Sequence, residues 1–153
     1  MRFKKISTTK DNKINLVYEI ERAGQYDEFS MTSSSPAKDS FHDSLQALVE
    51  DVIDMCELPE KYAERIIVKG VSFSYGGKRQ VMGAVITAQM LLKKSVVPLN
   101  LNTPHKTEEF YAKDGDPKQI LSGDCVERLL LLKKEAEDYV KGERLQTDMF
   151  QAV

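Results

Sequence analysis

Residues 65–92 read RIIVKGVSFSYGGKRQVMGAVITAQMLL, and their alternation of apolar and polar side chains sets the fold class. Val71, Phe73 and Tyr75 alternate with Ser72 and Ser74, the period of a half-buried β-strand. Gly76 and Gly77 follow, both able to take the positive φ of a tight turn, and a second apolar run starts at Val81. The stretch predicts a long β-hairpin. The apolar phase slips at Lys69–Gly70, which predicts a bulge in the first strand.

Working outward, RFKKIST (2–8) and KINLVYEIERA (13–23) predict two more strands, with turn residues in KDNK (10–13) between them. In the second, Ile14, Leu16, Tyr18 and Ile20 alternate with Asn15, Val17, Glu19 and Glu21. YDEFSMTS (26–33) predicts a third strand. VPLNLNTPH (97–105) adds a short one, with Leu99 and Leu101 on one face and Asn100 and Asn102 on the other. KTEEFYAKDGDPKQ (106–119) has the composition of a loop.

Two segments carry helical periodicity instead. Phe41, Leu45, Leu48, Val49, Val52, Ile53 and Cys56 form one continuous stripe, which predicts a single helix capped at Ser35–Pro36 or Asp39–Ser40 and ended before Pro59. A second helix starts near Ser122, carries Val126, Leu129, Leu130, Leu132, Ala136, Tyr139 and Val140 inward, and stops at Gly142. The order βββ-α-βββ-α predicts an α+β domain: a mainly antiparallel sheet with two helices packed on one face. The order repeats a βββα unit twice, although the two halves do not align by residue type.

The chain has 153 residues, 41% hydrophobic and 30% charged, enough for one domain with its own core and unlike a disordered chain. The expected division is a single domain over 1–142 and a flexible docking tail over 143–153. Cys56 and Cys125 both fall on helical apolar stripes and are read as buried thiols in a reducing compartment. MRFKKISTTK lacks an apolar segment after its basic start, and no run is long enough for a membrane span, so a cytoplasmic protein without membrane association is expected.

A net charge of −2 conceals segregation. Arg65, Lys69, Lys78, Arg79, Lys93, Lys94 and Lys106 follow one another without a single intervening Asp or Glu, whereas residues 38–64 hold eight acids against Lys38 and Lys61. Such separation shapes partners more than fold. Lys69, Lys78, Arg79, Lys93 and Lys94, interleaved with Phe73 and Tyr75, are the residue types that single-stranded DNA binding needs: cations for phosphates, aromatic faces for bases. Either the two rings stack on bases, or Val71, Phe73 and Tyr75 form the buried face and leave lysines and serines exposed.

Catalytic signals are weak. SYGGKRQ (74–80) has glycines and a lysine but not the strand–loop–helix setting of a phosphate loop. Glu19 and Glu21 share a strand face in the manner of a metal-dependent nuclease, yet such spacing is common by chance and solvent-face charge explains them better. His42 stands beside Asp43 on a helix, and His105 follows a strand without a metal-spaced partner. No catalytic residue, metal or cofactor is expected. Oligomeric state is open, a homo-oligomer included.

Gln146-Thr147-Asp148-Met149-Phe150 has the form Q-x-[D/S]-[L/M]-F. It resembles the short peptide with which bacterial DNA polymerases and repair proteins dock on the replicative sliding clamp. The resemblance implies that Gln146 is a polar anchor at the rim of a pocket, Thr147 a spacer and Asp148 the small polar position. Met149 and Phe150 would be the apolar plugs. KGVSFSYGG (69–77), LNTPHK (101–106) and GERLQTDMF (142–150) also resemble small uncharacterised proteins that phages and prophages carry beside replication and recombination genes. The implied function is a non-enzymatic accessory protein of DNA replication or recombination, tethered to the clamp. Alternatives are a clamp-directed inhibitor without DNA affinity and a plain interaction module whose tail is structural.

Overall fold

The computed structural model describes residues 1–110 and 115–145. Strands β1 (Arg2–Thr8), β2 (Ile14–Arg22) and β3 (Gln25–Ser33) form a meander. Strands β4 (Ile66–Gly76), β5 (Val81–Met90) and β6 (Leu99–Asn102) form another. They join through an antiparallel β1–β4 pair in the order β3-β2-β1-β4-β5-β6, and a two-residue strand β7 (Lys106–Thr107) adds to β5. Each half of the sheet is thus three strands running outward from the centre, followed by helix. The doubled βββα order has a spatial counterpart.

Helix α1 (Asp39–Gln46), α2 (Val49–Met55) and α3 (Gly123–Val140) supply the helical layer. Phe3, Ile6, Leu16, Val68, Val71, Phe73, Ile86 and Ala88 form one core with Phe41, Leu45, Leu48, Val52, Leu129, Leu132 and Tyr139. The fold is therefore α+β with its helices on one face of a mainly antiparallel sheet. The bulge in β4 lies where the apolar phase slips, its register shifting between Val68 and Gly70. Gln46 closes this irregularity from α1: its amide donates to Val68 O at 2.9 Å and its carbonyl accepts from Val68 N at 3.0 Å. No helix of the described residues is long and apolar enough to cross a membrane. Cys125 is buried, Cys56 is half-buried, and both are free thiols.

Four sequence expectations need correction. The first predicted helix is two, because the chain tightens at Ala47–Leu48, where Leu48 N bonds Leu45 O at 3.2 Å. Its start falls at Lys38, without a side-chain cap. The β4–β5 connection is not a tight turn at Gly76–Gly77; Gly76 pairs with Val81, and Gly77 and Gln80 take the positive φ values, 73° and 53°. Leu130, expected inside α3's stripe, is half-exposed, since the buried row runs Cys125, Leu129, Leu132, Ala136, Tyr139.

Candidate functional site

The aromatic part of the expected DNA surface faces the wrong way for DNA. Phe73 is buried among core side chains, and Lys133 of α3 places its ammonium 4.6 Å from the ring centre. Tyr75 is half-buried beside it. Its hydroxyl donates to Phe3 O at 2.7 Å and accepts from Lys133 Nζ at 2.8 Å. Both rings clamp α3 to the sheet, so neither offers a free face to a base in this structure. Burial is the reason: Val71, Phe73 and Tyr75 share the face that the helices cover.

Burial also pushes Lys133 down to about 8, with Glu108 pulling it back up and Arg2 opposing it further. Tyr75 is pushed up to about 12, again by burial first. The signs differ for stability. From about pH 8 toward lysine's ordinary 10.5, the unfolded chain holds a proton that folded Lys133 has released, so this group's contribution grows as pH rises. Tyr75 keeps its proton longer when folded, so its contribution is present below the ordinary phenol range and is lost as pH climbs from there toward 12. Thermal melts of the wild type and Lys133→Met should therefore differ in slope, the wild type gaining on the variant from pH 8 to pH 10. Parallel curves would contradict this assignment.

The basic residues do not form one patch. Lys78 and Arg79 occupy the β4–β5 turn, while Lys93 and Lys94 lie past the other end of β5. Ten residues of strand at about 3.3 Å each separate the two groups by roughly 30 Å. Arg79 is also committed elsewhere, paired with Glu109 at 2.9 Å and donating to Phe110 O at 3.2 Å. Lys69 alone lies on the sheet face that no helix covers among the described residues.

That face holds a cation which the sequence pattern did not single out. Lys5 stands opposite Ser72, and Ser7 opposite Gly70, in the β1–β4 register. Lys5, Ser7, Thr8, Lys69, Ser72 and Thr87 surround a shallow hollow of about 270 Å³. No acid lines it. Glu19 and Glu28 lie toward the β2–β3 edge instead, paired with Arg2 at 2.9 Å and Lys4 at 2.8 Å. The alternation in RFKKIST was the available signal for Lys5, but the bulge between Phe3 and Lys5 disguises which lysine faces outward.

His105 lies on the same open face. Its Nε2 is 2.8 Å from Ser74 Oγ, above Gly83, where a Cβ would collide with the imidazole. Among the described residues no carboxylate holds the other ring nitrogen, so the pair lacks the third group that orients a serine–histidine nucleophile. Glu19, which with Glu21 has the strand spacing of a nuclease pair, is engaged by Arg2.

The end of α3 is closed. Gly142 takes φ +101°, Gly142 N bonds Tyr139 O at 3.1 Å, and Glu143 N bonds Asp138 O at 2.9 Å, the paired 5→2 and 6→1 bonds of a Schellman stop. Arg144 then stacks on the Tyr139 ring at 4.1 Å, and Leu145 N donates to Pro36 O at 3.1 Å. The chain is therefore held against the body as far as Leu145. Gln146, Asp148, Met149 and Phe150 lie outside the described residues. No family, curated protein or solved structure shows significant similarity to this chain.

Proposed function

We propose that the protein acts by binding rather than catalysis, as an accessory factor that docks on a bacterial sliding clamp through Gln146–Phe150. The observation that carries this is the Schellman stop at Gly142: α3 cannot run on and bring Leu145 and Met149 onto the core as one amphipathic face. The motif follows directly after the residues pinned to Pro36 and Tyr139, so a clamp held by it would lie close against the body. Two apolar plugs, each worth roughly 1.5–3 kcal/mol on burial, would together contribute roughly 3–6 kcal/mol to the affinity. Co-elution of the purified chain with a bacterial clamp tests this, and Gln146→Ala should abolish it.

DNA contact, in this reading, falls to the open sheet face around Lys5 and Lys69. It would be a phosphate surface, because hydroxyls and ammonium groups line it and the rings of Phe73 and Tyr75 lie on the other side. Lys5→Glu/Lys69→Glu should then weaken binding of every labelled single-stranded oligonucleotide. The slope of log K against log salt should become shallower by roughly 1.4, about 0.7 for each phosphate no longer neutralised. Fluorescence anisotropy at low salt measures both. The burial of the two rings also favours a second reading, a clamp-directed occluder whose body makes no DNA contact. Absence of oligonucleotide binding together with intact clamp binding would select it.

A further inference from the structure

Between α2 and β4 the chain makes a short 3₁₀ segment, Glu60–Arg65. Residues three apart eclipse one another in such a helix. Glu60 and Ala63 therefore form one ridge, and Tyr62 and Arg65 another. The first ridge borders a groove of about 500 Å³ with Ile53 and Leu58 in its floor and Asp54, Glu57 and Glu60 on its rim. Those three carboxylates make no ion pair among the described residues. The second ridge, with Lys61 and Lys93, borders a basic hollow.

The loop that carries Lys93 exposes its apolar groups. Val96 is fully exposed and Val97 is 67% exposed, and Leu91 and Leu99 are about half exposed. At the base of the loop Leu91 N donates to Arg65 O at 2.8 Å, and within its tip Ser95 Oγ accepts from Val97 N at 3.1 Å. A contiguous apolar tip held in solvent marks a surface that another molecule covers. Its flanking charges, Lys93 and Lys94, are opposite in sign to the rim of the neighbouring groove.

We propose that this region is the interface of a two-fold dimer, in which the 91–99 loop of each copy lies in the acid-rimmed groove of the other. The two patches adjoin the same 3₁₀ segment on different ridges, so an axis beside that segment brings each loop to the partner's groove, an isologous and closed contact. Val96 and Val97 meet Ile53 and Leu58, and Lys93 and Lys94 meet Asp54, Glu57 and Glu60. Leaving out buried Asp51 and Val52, the surface draws on residues 49–63 and 91–99, within the roughly 20–30 residues a side of an ordinary stable interface. Such a dimer forms whether or not the chain docks on a clamp.

Light scattering on a sizing column tests it. The wild type should give a mass near twice 17.4 kDa at tens of micromolar, shifting toward monomer as salt is raised. Lys93→Glu/Lys94→Glu and Glu57→Lys/Glu60→Lys should each be folded by circular dichroism and monomeric. Mixed in equal amounts they should form a dimer again, since both loop–groove contacts are then attractive. Three results would overturn the proposal: a monomeric wild type at all concentrations, a dimer indifferent to both charge reversals, or mixed variants that stay monomeric. Binding of a monomeric wild type to anionic vesicles would assign the loop to a lipid surface instead.

Discussion

Arg128→Ala should destabilise the protein by about 3 kcal/mol, which is roughly 6–12 °C in melting temperature for a domain of this size. Arg128 reaches from α3 to α2 and grips Asp51 with two bonds, Nε to Oδ2 at 2.9 Å and Nη2 to Oδ1 at 2.8 Å. The Asp51 side chain is only 5% exposed. Removing the guanidinium leaves that carboxylate buried without its counter-charge, and the loss on breaking a buried pair comes mainly from the stranded partner. Arg128 itself is 26% exposed, so water softens the effect toward the lower end of the usual 3–5 kcal/mol or so. Arg128→Ala/Asp51→Ala should therefore recover part of the stability lost in the single variant. Thermal melts of the two variants check both statements, and a single variant as stable as wild type would contradict them.

The second large effect concerns Gln146–Phe150. Met149→Ala/Phe150→Ala should reduce clamp affinity by about 100-fold or more, since two buried apolar side chains together contribute roughly 3 kcal/mol at the least. The melting temperature should not move, because α3 is closed at Gly142 and, among the described residues, the last backbone bond to the body is made by Leu145. A fall of several degrees in the double variant would instead place the two side chains in this protein's own core.

Much of the sheet was legible because period-two alternation fixes both strand and face. β1, β2 and β3 lie within a residue of the stretches RFKKIST, KINLVYEIERA and YDEFSMTS, and the bulge at Lys69 was visible as a slip of phase. The break at Ala47–Leu48 was not. The stripe from Phe41 to Cys56 keeps a helical period straight across it, and what differs is the tightened turn after Gln46, whose side chain is drawn away to Val68. Leu130 differs for a related reason: the four successive leucines 129–132 cannot all face the core, and composition does not say which two are left out.

The functional surface was less legible than the fold. Phe73 and Tyr75 were correctly seen to alternate, but alternation alone does not say which face helices will cover. Charge segregation was real in sequence, yet the β5 strand carries Lys78 and Lys93 to opposite ends of the sheet. Lys5 and Lys69 come together only through the antiparallel β1–β4 pair, a contact between residues far apart in the chain. Arg128 and Asp51 meet across helices in the same way. Pairings of this kind depend on topology, which local patterning does not encode.

Calorimetric titration of a purified bacterial sliding clamp with the full chain, alongside the variant Gln146→Ala/Met149→Ala/Phe150→Ala, measures the proposed activity most directly. Saturable binding of the wild type and none of the folded variant is the expected result. Equal binding of both proteins, or no heat from the wild type at any concentration, would contradict docking through this segment.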